Sequence, residues 1–191
     1  MSALETIAVI LGMINVTLVV LRSVWNYPFG IVMVSLYAVI FYDAHLYSDA
    51  LLQIFFFVVN IYGWWHWARA KAEIGEVAVE LLSWRARGAW IAGLIAATAA
   101  WGWMMATRTD AHFPYWDGAI AMLSVAAQLL MSRRYLENWI LWIAVDILAV
   151  GLYWVKDLKL TAALYVVFLA LSIWGLEEWM RARAARVART A

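Results

Sequence analysis

The sixth apolar stretch of the sequence carries one carboxylic acid between an amide and two aromatic residues. Asn138, Trp142, Asp146 and Tyr153 follow one another at intervals of 4, 4 and 7 residues, so a helix places them on one face. A lone carboxylate in hydrocarbon costs about 2.5–3.5 kcal/mol, and no Lys or Arg lies mid-stretch to pair with it. Asp146 is therefore a protonated structural acid, a proton-coupling site, or an acid facing a cationic substrate. The flanking aromatic faces favour the third interpretation.

The third apolar stretch carries a similar face of two amides and an indole. Gln53, Asn60 and Trp64 are separated by 7 and 4 residues. Such a face suits a small heterocyclic ligand. The alternative is that Gln53 and Asn60 only form bonds between helices, worth about 0.6–2 kcal/mol each. The sequence predicts that this face and that of Asp146 line one substrate site.

The run Trp25-Asn26-Tyr27-Pro28-Phe29-Gly30 opens the second apolar stretch. Pro28 suits a first helical turn, and the side-chain oxygen of Asn26 can cap the helix. Trp25 and Tyr27 suit a membrane–water boundary. Trp25 and Asn26 are also candidate substrate-binding residues at this membrane–water boundary.

Two further amides and several indoles are assigned from their places in the stretches. Gln128 is expected near the cytoplasmic mouth, and Asn15 is expected to bond one helix to another. The Trp residues near stretch ends are predicted to be interface anchors: Trp65, Trp67, Trp84, Trp101, Trp103 and Trp179.

The composition is that of an integral membrane protein. Of 191 residues, 67% are hydrophobic and 14% are charged, whereas soluble domains have about 45–50% and about 25%. There is no cysteine, no metal-ligand spacing of histidines and no glycine-rich phosphate loop. The sequence therefore predicts neither an enzyme nor a bound cofactor or metal.

Seven apolar stretches each approach the ~20 residues needed to cross a bilayer. They span residues 4–21, 26–42, 49–67, 89–105, 117–131, 138–154 and 160–179. Eleven of the fourteen basic residues fall on one side of such an arrangement, which places that side and the C-terminus in the cytoplasm and the N-terminus outside. The basic tail is then an orientation and anionic-lipid signal, and no nucleic-acid partner is expected.

The sequence repeats itself at an offset of 112 residues. The positions that coincide include Arg22 with Arg134, Asn26 with Asn138, Gly63 with Gly175 and Trp67 with Trp179. Two parallel three-helix repeats, 1–68 and 117–180, are therefore predicted, with a substrate site where they face each other. An amphipathic loop (69–88) and a linker helix (89–106) connect them, and a basic tail (181–191) follows. The small residues of the linker helix predict a packing strut between the two bundles.

The residues that open the second and third stretches resemble a known family. The run 25–30, the run 47–57 and Ile61-Tyr62-Gly63-Trp64 are similar to the Pnu-type vitamin transporters, whose best-known members carry nicotinamide riboside. The second half, 139–174, is similar but less sharply so. The resemblance implies a seven-helix 3+1+3 fold akin to the SWEET proteins, a homotrimer, and a site lined by Trp, Asn and Gln.

The resemblance also implies an activity. We expect facilitated diffusion of an unphosphorylated vitamin across a bacterial inner membrane, followed by trapping by a cytoplasmic kinase. Nicotinamide riboside and thiamine each carry a ring cation that Asp146 could face, whereas neutral riboflavin gives no reason for an acid. Proton-coupled transport through Asp146 and a non-transporting membrane scaffold are the competing hypotheses.

Overall fold

A computed structural model describes residues 3–43, 47–109 and 112–190. Within them lie seven helices: α1 (Ala3–Val20), α2 (Asn26–Asp43), α3 (Tyr47–Ile74), α4 (Trp84–Arg108), α5 (Pro114–Ser132), α6 (Glu137–Val155) and α7 (Lys159–Thr190). The seven predicted helices are thus confirmed. Both α3 and α7 extend beyond their predicted ends, into the segments assigned to the loop and the tail. An ion pair one turn apart joins Arg69 to Glu73 on the extension of α3, and another joins Arg181 of the α7 extension to Glu177.

Helix length and composition alone identify part of the membrane-spanning set. Among the described residues, α1, α4, α6 and the 159–189 part of α7 are long and apolar enough to cross a bilayer. Many large apolar side chains on these helices are exposed, such as Ile95 on α4 and Leu160 on α7. In a membrane protein such side chains face lipid.

Six of the helices form a closed ring. Going round the ring, the order is α1, α2, α3, α5, α6 and α7, and α7 packs back against α1. Residues 3–74 supply three consecutive members and residues 114–190 supply the other three, which is consistent with the predicted pair of repeats. Within the described part of the chain, α4 packs against α5 alone. The predicted strut between the bundles is therefore wrong, because α4 lies outside the ring.

The turn that precedes the second helix of each repeat has the same structure in both copies. Arg22 and Arg134 take left-handed backbone angles, with φ of 53° and 65°. The amide nitrogens of Asn26 and Asn138 each donate to a carbonyl three residues earlier, at 2.6 Å. The predicted oxygen cap at Asn26 is therefore wrong, since its Oδ1 is buried without a hydrogen-bond partner.

Two indoles join the repeats. Trp67 Nε1 donates to Met131 O and Trp179 Nε1 donates to Val19 O, each at 3.1 Å. Both Trp side chains are fully buried, so the prediction that they anchor at the membrane interface is wrong. They lie near the ends of the predicted stretches, as lipid-facing anchors would, but point toward the other repeat. Tyr27, predicted at the membrane boundary, is also fully buried.

The segment 75–83 crosses from α3 to α4 beneath this core. Val77 and Val79 are buried in the same apolar cluster as Trp67 and Trp179. Glu80 makes a parallel bridge to the 134–136 turn, where its N–H donates to Arg134 O and its carbonyl accepts from Leu136 N, both at 2.9 Å. This segment, called here the strap, is therefore packed against protein over much of its length.

Candidate functional site

The carboxylate of Asp146 is buried inside the ring and has one side-chain partner. Only 3% of the residue is exposed, and Oδ2 accepts a hydrogen bond of 2.8 Å from the hydroxyl of Ser172 on α7, which is 4% exposed. A donated hydroxyl stabilises the charged form of a carboxylate. Within the described residues, Oδ1 accepts no hydrogen bond, so it can accept one from a ligand or attract a cation.

A second polar cluster joins the repeats between α3 and α5. Gln128 Nε2 donates to Asn60 Oδ1 at 3.2 Å, and both residues are buried. Gln128 was predicted near the cytoplasmic mouth, and its amide joins the two repeats by bonding to a helix of the other one. Gly30 makes this cluster possible, because a Cβ there would lie 2.7 Å from Asn15 Nδ2 and 3.3 Å from Asn60 Oδ1. Asn15 donates to Asn26 O at 2.7 Å and so forms the predicted bond between helices.

Aromatic rings lie on α6 and α7, the two helices that carry Asp146 and Ser172. Tyr153 stacks on Tyr165 of α7 with centroids 5.3 Å apart, and Tyr165 meets Phe168 edge to face at 5.9 Å. Trp142 is half-buried and packs against the apolar core. Four and seven residues separate Trp142 and Tyr153 from Asp146 along α6, which keeps all three on one face.

The other predicted site residues occupy different surroundings. Gln53 is half-buried, whereas Trp64 is 41% exposed and Trp25 is 69% exposed. The amide nitrogens of Asn26 and Asn138 bond within their own turns. The structure thus joins Asn60 to Gln128 and Asp146 to Ser172. Among the described contacts, it makes no comparable pair from Trp25, Gln53 or Trp64.

Sequence reasoning missed Ser172. A single Ser in an apolar stretch carries little signal, since hydroxyls commonly bond to their own helix. The repeat offered the one available signal, because Ser172 stands 112 residues after Asn60 and so occupies the equivalent position. Two polar residues at equivalent positions of otherwise apolar helices were a reason to examine it.

The repeats agree in their turns and differ at mid-helix. At the turns and at the indole bonds, the donor residues are the same in both repeats and donate to carbonyls at equivalent positions. In the polar clusters they do not, and the differing pairs are Asp146 with Val34, Gln128 with Val16, Ser172 with Asn60 and Trp142 with Gly30. A duplicated scaffold needs the matched positions, whereas an asymmetric ligand between the copies needs an asymmetric lining.

The arrangement offers charge, amide hydrogen bonds and aromatic faces. A ring of helices that is apolar outside and encloses these groups is the architecture of a multi-pass membrane transporter for a small polar solute.

Comparison with known proteins identifies the family. Residues 2–181 match the family described as nicotinamide mononucleotide transporter, and the chain belongs to that family. The chain is 29% identical to the nicotinamide riboside transporter PnuC of Escherichia coli K12, with 99% of this chain and 90% of that protein aligned. It is 31% identical to the riboflavin/roseoflavin transporter RibM of Streptomyces davaonensis, with 89% and 81% aligned.

A solved structure shares the fold. The crystal structure of the vitamin B3 transporter PnuC superposes with a TM-score of 0.78 at 29% sequence identity, over 95% of this chain and 82% of that one. The chain is thus an all-α, multi-pass membrane protein of a vitamin-transporter family, and it is not an enzyme.

Proposed function

We propose that the protein mediates facilitated diffusion of an unphosphorylated vitamin, nicotinamide riboside, which a cytoplasmic kinase then traps as a charged phosphate. The observation that carries the proposal is the buried Asp146–Ser172 pair, in which Oδ1 accepts no hydrogen bond from the described residues. Nicotinamide riboside carries a pyridinium cation, which a buried carboxylate and aromatic faces attract. Its carboxamide complements the amides of Asn60 and Gln128.

The proposed site consists of the inward-facing positions at which the repeats differ, together with Gln53. These residues are Asn60, Gln128, Trp142, Asp146, Tyr153 and Ser172. Trp64 stands next to this set on α3. Trp25, Asn26 and Asn138 lie at the repeated turns, and their roles in our proposal are to shape the helix starts and not to contact the vitamin.

Other substrates make distinct demands on the same site. Thiamine also carries a ring cation and is the alternative that the acid favours. Riboflavin is neutral, and the likeness to RibM is the observation that favours it as a second candidate. Proton-coupled transport through Asp146 remains the mechanistic alternative.

The membrane setting follows from the charge distribution and the resemblance. We propose a bacterial inner membrane, a periplasmic N-terminus and a cytoplasmic C-terminus, with anionic lipid near the basic end of α7. We also propose a homotrimer. A Cβ at Gly88 or Gly93 of α4 would meet no atom within 4 Å, and a groove of about 300 Å³, lined in part by Gly93, runs between α4 and α5. Small residues of this kind let neighbouring helices approach closely.

Uptake into proteoliposomes tests the function directly. Vesicles containing the protein receive labelled nicotinamide riboside, thiamine or riboflavin, without ATP or an ion gradient. We expect nicotinamide riboside to enter faster than into protein-free vesicles and to stop at equal concentrations on both sides. If none of the three vitamins enters faster than into protein-free vesicles, the proposal is wrong.

Two further measurements separate the competing hypotheses. An imposed pH gradient leaves the rate of passive uptake unchanged, whereas accumulation above equilibrium would establish proton coupling. A scaffold without transport activity predicts no ligand binding by the wild-type protein, and predicts that Gln53→Ala and Asn60→Ala alter only stability.

A further inference from the structure

Four aromatic side chains form a continuous row where the repeats meet. Tyr27 meets Trp67 edge to face at 5.4 Å, Trp67 meets Trp179 at 5.8 Å, and Trp179 meets Trp139 edge to face at 5.6 Å. The exposed fraction is 0% for the first three and 2% for Trp139. We call this row the aromatic plug. Each repeat supplies two of its rings.

The plug lies on the axis that relates the repeats. Trp67 and Trp179 stand at equivalent positions, 112 residues apart, and their centroids are 5.8 Å apart. Two residues that a two-fold axis exchanges lie at equal distances on either side of it. Each indole is therefore about half of 5.8 Å from the axis, and a solute moving along this axis meets the plug.

Two hydrogen bonds hold the plug closed. The Trp67 indole donates to Met131 O in the last turn of α5, and the Trp179 indole donates to Val19 O in the last turn of α1. Both bonds run from one repeat to the other, so they break when the repeats separate at this level. Tight packing adds to them, because Gly63 and Gly175 lie directly against Tyr27 and Trp139.

The strap covers the plug on the side that the basic residues assign to the cytoplasm. Val77 and Val79 belong to the same buried cluster as the four rings. The carboxylate of Glu137 accepts from Leu82 N at 3.2 Å and from the Arg87 guanidinium at 2.7 Å, which fastens the strap to the start of α6. Glu76, near the other end of the strap, pairs with Arg189 of α7 at 3.2 Å.

We infer that the aromatic plug is the cytoplasmic gate, and that the Trp67 and Trp179 indole bonds are the latch that keeps it closed. Passage to the cytoplasm then requires both bonds to break as the repeats move apart. The inference rests on the proposed transport function and on the proposed orientation.

The absence of cysteine makes a direct test possible. Val16→Cys introduces one thiol on α1, one turn from Val19 toward the middle of the helix. This position packs against the plug on the side that faces the middle of the bilayer, away from the cytoplasm. A membrane-impermeant methanethiosulfonate reagent is applied to inside-out vesicles, which present the cytoplasmic face, and separately to right-side-out vesicles. The latch is opened by Trp67→Phe with Trp179→Phe, which keeps a smaller aromatic ring at each position and removes both indole donors.

Loss of two ordinary hydrogen bonds predicts a labelling rate about five- to a hundredfold higher from the cytoplasmic side. Labelling from the other side should not increase. The matched control is Trp65→Phe with Trp103→Phe, two exposed indoles, which should leave both rates unchanged. Each single latch variant should give a smaller increase, and thermal unfolding in detergent checks that every variant is folded.

Unchanged labelling of a folded latch variant would show that the plug is not a gate. An increase from the periplasmic side alone would overturn the cytoplasmic assignment. If the double variant does not fold, the two single variants decide the matter by the same criterion. Labelling needs no substrate, so its outcome is separate from that of the uptake experiment.

Discussion

Asp146→Asn removes a charge from the interior of the helix ring and keeps the shape of the side chain. The amide oxygen of Asn can still accept the 2.8 Å hydrogen bond from Ser172, so we expect the fold to be retained. A cationic ring about 5 Å from the carboxylate interacts with it by about 3 kcal/mol at an effective dielectric constant of about 20. Part of this energy offsets the cost of keeping the charge buried. We therefore expect a 10- to 100-fold weaker affinity for nicotinamide riboside, or about 1.4–2.8 kcal/mol.

Isothermal titration in detergent measures this difference for a cationic and a neutral vitamin. The affinity for riboflavin should change little, because this neutral vitamin has no charge that could pair with Asp146. Asp117→Asn is the matched control, since Asp117 is half exposed and pairs with Lys156 at 3.0 Å on the surface. We expect this control to leave both affinities unchanged.

Two results would contradict the role proposed for Asp146. If a folded Asp146→Asn variant binds nicotinamide riboside as tightly as the wild type, the acid does not face the cation. If instead the variant unfolds, the acid is structural. An equal loss of affinity for cationic and neutral ligands would indicate a change in the shape of the site and not in its charge.

Three further perturbations test the packing and the polar clusters. Gly63→Ala and Gly175→Ala should each lower stability by about 1–3 kcal/mol, because the added Cβ would lie 2.6 or 2.5 Å from the aromatic side chain packed over it; an unchanged thermal midpoint would contradict this packing. A double-mutant cycle of Asn60→Ala and Gln128→Ala should show a coupling of about 0.6–2 kcal/mol in unfolding free energy, whereas additive effects would mean that their 3.2 Å contact contributes nothing. Glu137→Ala should release the strap and speed protease cleavage within 75–83, and equal cleavage of wild type and variant would show that this carboxylate does not hold it.

The helices and the repeat could be predicted from the sequence because both are local properties. An apolar stretch of about twenty residues is a membrane helix whatever surrounds it, since backbone groups must pair internally in lipid. The match of Asn26 with Asn138 and of Trp67 with Trp179 needed only the order of residues. The helix ends were less predictable, because charged pairs such as Arg69 with Glu73 extend α3 beyond its apolar part.

The predictions that failed are those that depended on the direction in which a side chain points. Trp67 and Trp179 have the composition and position of interface anchors, but each indole finds a carbonyl in the other repeat. Small residues in the fourth stretch indicated close packing without saying which helix they pack against. Ser172 carried only the weak signal of the repeat, whereas in the structure its hydroxyl lies 2.8 Å from Asp146 Oδ2.

Composition and residue order are enough to predict a membrane protein of seven helices in two similar halves, with one acid that cannot be left unpaired in hydrocarbon. The folded structure is needed to show which polar groups meet, because partners such as Asn60 and Gln128 lie 68 residues apart on helices of different repeats. It also separated the positions at which the halves agree from those at which they differ. The physical reason is that burial in lipid acts on each helix alone, whereas hydrogen bonds between helices depend on how the helices pack.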